Sequence, residues 1–449
     1  MTQSDEKEHS PSPAIDYLFA PFLNFLHNQV SGSLLLIAAT VIALAWANSP
    51  WADAYFHLWE TPVGFSLGDF NLTKALHFWI NDGLMAMFFF VVGLEIKREI
   101  LVGELSSLQG AVLPLAAAVG GMIAPALVYL SLNWAGPGII GWGTPMATDI
   151  AFALGILILL GDRVPPALKV FLAALAIADD LGAVLVIALF YTSSISWLSL
   201  ASGLGFLVVL IVMNLIGVRH TLAYGVVGIG GVWLAFLFSG VHPTIAGVLA
   251  AMAIPARSAV SPKRFVERTR GTIDLFERLG GSSDDILINK ERQSALLSVR
   301  QMYEQLASPL HRLEKSLHSW VAIVVLPLFA LANAGVTVEA SVGDALRDPV
   351  TLGVILGLIV GKQVGITGCA WAVVRLGWSR LPRGVTWKHI YGVSWLGGIG
   401  FTMSIFIAGL AFQDADALAR AKFGILVASF IAGAAGYSYL RRQSGERAT

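Results

Sequence analysis

Long apolar runs separated by short polar connections recur along almost the whole chain. A helix crossing the hydrocarbon core of a bilayer needs roughly 20 mostly apolar residues, and runs near that length recur about twelve times. They lie near 33–50, 76–96, 110–132, 139–160, 167–191, 197–216, 221–238, 243–256, 317–336, 350–374, 387–411 and 418–440, the eighth being short. The pattern predicts an all-α polytopic membrane protein. Three segments fall outside it. Residues 1–32 are polar at the start and then interrupted by Pro21 and Gly32, so they read as a cytoplasmic N-terminal segment with no cleavable signal. Residues 257–316 interleave charges with Phe265, Ile273, Leu275, Phe276 and Leu279, the pattern of a cytoplasmic loop with amphipathic helical pieces. A solvated connector is the simpler reading of that loop, with a membrane-surface or regulatory arm as the alternative. The organisation is then spans one to eight over 33–256, the loop, spans nine to twelve over 317–440, and a cytoplasmic tail over 441–449.

Charge supports this division. Lys+Arg and Asp+Glu number 29 each, so the net charge is zero and neither nucleic acid nor a strongly basic partner is indicated. Only 13% of residues are charged against 56% hydrophobic, about half the charged share of a soluble domain. Basic residues mark the cytoplasmic side of a membrane protein. When the connections are assigned alternately to the two sides, most of them fall on one side. Lys74, Arg347, Arg420 and Lys422 fall on the other, and Lys362 lies within a span. Both termini are thereby placed in the cytoplasm. The lone Cys369 sits in an apolar run, which excludes an intramolecular disulfide and a cysteine metal framework.

A charge at the bilayer centre costs on the order of 2.5–3.5 kcal/mol or more, so it demands a partner or a cavity. Asp149 is central in the fourth run, Asp179 and Asp180 in the fifth, and Lys362 in the tenth. These groups could serve only as glue between helices, but four at one depth point to function. Neighbouring helical residues point about 100° apart, so Asp179 and Asp180 cannot both face one partner. Three carboxylates against one ammonium leave a surplus negative site. The backbone nearby is also interrupted: Gly141, Gly143 and Pro145 precede Thr148 and Asp149, and Gly397, Gly398 and Gly400 break the eleventh run. Such residues serve close packing in membranes, but two interrupted runs in the two halves also mark broken helices framing a midplane site. Carboxylates with hydroxyl and carbonyl oxygens suit small hard cations, and buried carboxylates also take up protons. Mutual exclusion of the two at a site open to one side at a time couples their opposite flows.

Several strings carry a resemblance: INDGLMAMFFFVVGLEIKRE (80–99), ATDIAFALG (147–155), ALAIADDLGAVLVIALFY (174–191), SGVHPTIAGV (239–248), LPLFALANAGV (326–336) and GIGFTMSIFIA (398–408). Through them the chain resembles the NhaA family of sodium/proton antiporters along essentially all of its runs. The resemblance implies inverted repeats with two broken crossing helices, and pH-regulated, electrogenic export of Na+ or Li+ in exchange for H+. It implies a bacterial inner-membrane location, suggests a homodimer, and implies no cofactor. It makes Asp180 the principal sodium ligand and proton carrier and Asp179 its companion, paired with Lys362. Thr148 and Asp149 become the unwound part of the fourth span, with Asp149 facing the positive ends of broken helices and Lys362 the negative ends. A cytoplasmic pH-sensing cluster maps onto Glu95, Arg98, Glu99, His242, Glu314 and His318. Two positions depart from the family: Gln363 follows Lys362 where proline is usual, and His311 stands where lysine is usual.

Two other functions compete. A sodium-coupled symporter for an organic anion would need a larger polar cavity. An intramembrane aspartyl protease needs two aspartates sharing a proton at close range, for which Asp149 with Asp179 or Asp180 would serve. The Gly-x-Gly-Asp signature of such proteases is absent, and Lys362 has no role in one.

Overall fold

A computed structural model of the chain describes residues 29–257 except 69 and 193, together with 270, 308–337 and 347–445. Most of the predicted loop 257–316 and the first 28 residues lie outside the described residues.

The described chain is nearly all helical. Its helices are α1 (Gln29–Ala47), α2 (Ala52–Glu60), α3 (Met85–Val102), α4 (Leu108–Asn133), α5 (Ile150–Leu159), α6 (Pro166–Phe190) and α7 (Trp197–Leu215). The series continues with α8 (Thr221–Leu237), α9 (Pro243–Ala253), α10 (Pro309–Asn333) and α11 (Pro349–Arg375). It closes with α12 (Trp387–Gly397), α13 (Phe401–Ala411) and α14 (Ala415–Gly445). Among the described residues, seven helices are long and apolar enough to cross a membrane, or nine if each of two bent pairs is one span. That makes the chain a multi-pass membrane protein, but length and composition alone do not reach the expected twelve. The remaining expected positions hold α3, whose last turns carry Glu95, Lys97, Arg98 and Glu99, and the short α8 and α9.

One element departs from the helical expectation. Pro62–Leu67 and Phe70–Ala75 form a two-stranded antiparallel hairpin, β1 and β2, with Pro62 opposite Ala75 and Leu67 opposite Phe70. Gly68 turns the chain at φ +58°, a left-handed conformation that glycine adopts without penalty. The hairpin lies in the connection before the second span, outside every long apolar run.

Helix contacts follow membrane logic, in which small residues let backbones approach. α4 and α11 cross so closely at Gly120 and Gly365 that a Cβ on either would fall onto the other's carbonyl oxygen. Gly361 lies against Pro125 in the same way. Neither obstacle is a flexible side chain, so a larger residue forces the helices apart. Gly365→Leu is expected to lower stability by about 3 kcal/mol or more, at the severe end of overpacking. Unfolding in detergent micelles measures this, and wild-type stability would contradict the close crossing.

Wide π-type turns interrupt the α pattern at Gly228–Trp233 in α8, Val321–Val325 in α10 and Gly357–Gly361 in α11, and at Trp79–Leu84 just before α3. Such turns bend a helix and recur at functional sites. The turn in α11 ends immediately before Lys362.

Candidate functional site

The two interrupted runs are broken, as their glycines and prolines predicted, and the breaks touch. A 3₁₀ segment over Pro137–Met146, containing Pro145, leads into extended backbone at Ala147, and α5 starts after Asp149. In the second run, Gly398–Gly400 separate α12 from α13, which is bent 46° away from it. The Asp149 N–H donates to the Ile399 carbonyl at 2.7 Å, and the Thr148 hydroxyl donates to the Gly397 carbonyl at 2.8 Å. Each break thus satisfies backbone groups that the other has freed from helical bonding, which is the condition for irregular backbone at membrane depth.

Asp149 occupies the start of both half-helices. One carboxylate oxygen accepts the Phe152 N–H of α5 at 3.1 Å, as an N-cap does. The other accepts the Thr402 N–H of α13 at 3.0 Å and the Thr402 hydroxyl. Two helix N-termini therefore face one carboxylate, the arrangement that helix dipoles favour.

α6 runs unbroken past the crossing and brings Asp179 and Asp180 to it from its middle. Lys362 of α11 donates from Nζ to Asp179 Oδ2 at 2.8 Å and to Thr148 Oγ1 at 2.9 Å. Among the described residues its ammonium reaches the C-terminal end of α12 through Thr148, whose own proton goes to Gly397. Lys362 is 0% exposed, Thr148 0%, Asp149 2%, and Asp179 and Asp180 1% each. The charge imbalance read from the sequence now has an address. Asp149 is compensated by two helix N-termini and Asp179 by Lys362, which leaves Asp180 as the surplus. Oδ1 of Asp180 and Oδ1 of Asp179 are buried with no hydrogen-bond partner among the described residues.

The residues expected to form the cytoplasmic cluster, His242 excepted, meet between α3 and α10. Arg98 bonds Glu314 at 2.5 Å and Glu99 at 2.9 Å, and His318 Nδ1 lies 3.1 Å from Glu95 Oε1. Neighbouring Lys97 donates to the carbonyls of Met252 and Ile254, at 2.6 and 2.5 Å, where α9 ends. His242 is a correction: it does not join this cluster. Its Nε2 lies 3.2 Å from Asp82 Oδ1, and its Nδ1 lies 2.8 Å from the Thr244 hydroxyl. Asp82 precedes Arg98 by four helical turns on one nearly continuous helix, so the two groups lie on the order of 24 Å apart along it. The alternating assignment made from the sequence puts the connection holding His242 opposite the basic loops, and the resemblance alone had placed the residue in the cytoplasmic cluster.

Sequence reasoning also missed Thr402. It stands inside the quoted string at 398–408. The available signal was its place just after a glycine-rich break, where a half-helix start needs an acceptor for its free N–H groups.

Comparison with known proteins shows the family of the chain. The family model described as Na+/H+ antiporter 1 matches residues 23–440. The Na(+)/H(+) antiporter NhaA of Oleidesulfovibrio alaskensis is 52% identical over 441 residues, covering 98% of this chain and 98% of that one. The Na(+)/H(+) antiporter NhaA of Koribacter versatilis is 46% identical over 444 residues, covering 99% and 96%. A solved structure of the sodium proton antiporter MjNhaP1 from Methanocaldococcus jannaschii is a distant likeness, at 10% identity and TM-score 0.46 over 95% of this chain and 98% of that one. With a family model over most of its length and relatives near half identity end to end, the chain belongs to the Na+/H+ antiporter 1 family.

Proposed function

We propose that the chain exports Na+, or Li+, from the cytoplasm in exchange for H+, with cation and protons competing for Asp179 and Asp180. The observation that carries this reading is the Asp180 carboxylate, 1% exposed beside the crossing of two broken helices and with one oxygen unpartnered among the described residues. A buried carboxylate in that position is tolerable only when it holds a proton or a cation. The free Oδ1 of Asp179 and the Thr148 hydroxyl complete an oxygen-rich set suited to a small hard cation. Family membership points the same way.

In the proposed cycle, Asp180 loses its proton towards the cytoplasm and binds the cation together with Asp179. The crossing rocks to the other side, and returning protons expel the cation there. Lys362, released from Asp179 when the cation binds, supplies a further proton-carrying group, which makes the exchange electrogenic. The cluster of Glu95, Arg98, Glu99, Glu314 and His318 sets the pH at which exchange begins, and both termini lie in the cytoplasm. The protease alternative loses its pair, because both Asp149 oxygens are taken by helix-start donors.

Everted membrane vesicles with a respiration-generated pH gradient test the activity. Added Na+ or Li+ is expected to collapse the gradient, more strongly as pH rises through neutrality. Silence towards both ions, with the protein inserted and abundant, would sink the proposal and bring the symporter reading forward.

A further inference from the structure

The residue after Lys362 makes an attachment that the exchange mechanism above does not use. Gln363 is 8% exposed, and its Oε1 lies 2.6 Å from the hydroxyl of Ser394, a fully buried residue on α12. The Thr367 hydroxyl, one turn further along α11, donates to the same Ser394 oxygen at 3.2 Å. Ser394 Oγ also lies 2.7 Å from the Tyr391 carbonyl. A hydroxyl has one proton for these two acceptors. Turning the Gln363 amide over lets its NH₂ donate to Ser394 and leaves the hydroxyl proton for Tyr391, so either orientation keeps the link. The tie therefore joins α11 to α12 inside the membrane, where water does not compete for these groups.

Its place along both helices gives it a role. The wide turn Gly357–Gly361 interrupts the α pattern of α11 immediately before Lys362, so the direction of the segment from Lys362 onward is not set by a continuous α-helix. Ser394 stands one turn before Gly397, whose carbonyl takes the Thr148 hydroxyl. Adjacent residues of α11 are thus fastened to the last turn of α12 by two routes: Lys362 through Thr148 to Gly397, and Gln363 directly to Ser394.

We propose that Ser394 and Gln363 are positioning residues for Lys362: their bond fixes the part of α11 after the wide turn against α12 and so holds the Lys362 ammonium on Asp179 and Thr148. In the proposed cycle the cation displaces Lys362 from Asp179, so whatever fastens the ammonium there raises the cation concentration needed to fill the site. Loosening the tie lets Lys362 leave Asp179 and Thr148 more readily and so frees both side chains for the cation. This inference rests on the exchange function proposed above.

The test compares wild type, Ser394→Ala, Gln363→Met and the double variant in the full chain. Sodium-dependent collapse of the pH gradient in everted vesicles gives a half-saturating Na+ concentration and a maximal rate for each. Each single variant is expected to lower the half-saturating concentration roughly fivefold, the equivalent of one neutral hydrogen bond, with little change in maximal rate. The double variant should do no more than either single one, because both remove the same link. Wild-type or raised half-saturation in both single variants would overturn the proposal, even with a lowered melting temperature, since the tie would then not hold Lys362 against the cation. Effects that multiply in the double variant would overturn it as well. Absence of exchange in the wild type would instead remove the proposed function, and this inference with it.

Discussion

Replacing Asp180 by asparagine is expected to abolish sodium-driven proton exchange. Asparagine matches aspartate in shape but carries no charge, and it cannot carry a proton through the cycle. Removing one charged member of a buried ionic contact costs roughly 2–5 kcal/mol, or between about thirty- and several-thousandfold in cation affinity. The protein itself should fold normally, because Oδ1 of Asp180 makes no hydrogen bond among the described residues for the substitution to break. Unfolding in detergent should show Asp180→Asn at least as stable as wild type. Exchange at near wild-type rates in this variant, at equal membrane abundance, would show that the essential carboxylate lies elsewhere.

Lys362→Met should have the opposite profile, with stability falling first. The lysine is fully buried and holds Asp179 at 2.8 Å, so its loss leaves an uncompensated carboxylate in the core. Breaking a buried pair by removing one partner costs about 3–5 kcal/mol, whereas replacing both partners by neutral groups is often harmless. The double variant Asp179→Asn with Lys362→Met should therefore recover most of the stability lost in Lys362→Met. The deficit of the single variant should also grow as pH rises, since a proton taken up at acid pH relieves the stranded charge. Equal stability of wild type and Lys362→Met at alkaline pH would mean that the pair does not hold the fold together.

The parts of the site legible in the sequence were those with a large physical cost. A charge in the middle of an apolar run is conspicuous, and Asp149, Asp179, Asp180 and Lys362 all converge on one crossing. Glycine and proline inside a run weaken a helix, and both breaks fall where those residues stand. What escaped were groups that look ordinary outside their context. Thr402 is one hydroxyl among many until the free N–H groups of a half-helix need Asp149. The carbonyls of Gly397 and Ile399 carry no side-chain signal at all. The hairpin at Pro62–Ala75 is short and lies between runs, where a search for long apolar stretches gives no reading. His242 went astray for a different reason: membership of a motif located it in sequence, but only the chain's passage through the membrane decides which face it reaches. The tie between Gln363 and Ser394 was legible only as an unusual residue beside Lys362, because its partner is 31 positions away.

Competition between sodium and protons at one pair of aspartates is measured most directly by the protons released when sodium binds. Purified protein in weakly buffered detergent solution, with a pH-sensitive dye, is given sodium chloride, and choline chloride serves as the control. If the two ligands exclude each other, sodium releases protons from the wild type, choline releases none, and Asp180→Asn releases none with either salt. Heat of sodium binding in the wild type with no release of protons, over the pH range in which exchange occurs, would contradict mutual exclusion at Asp179 and Asp180.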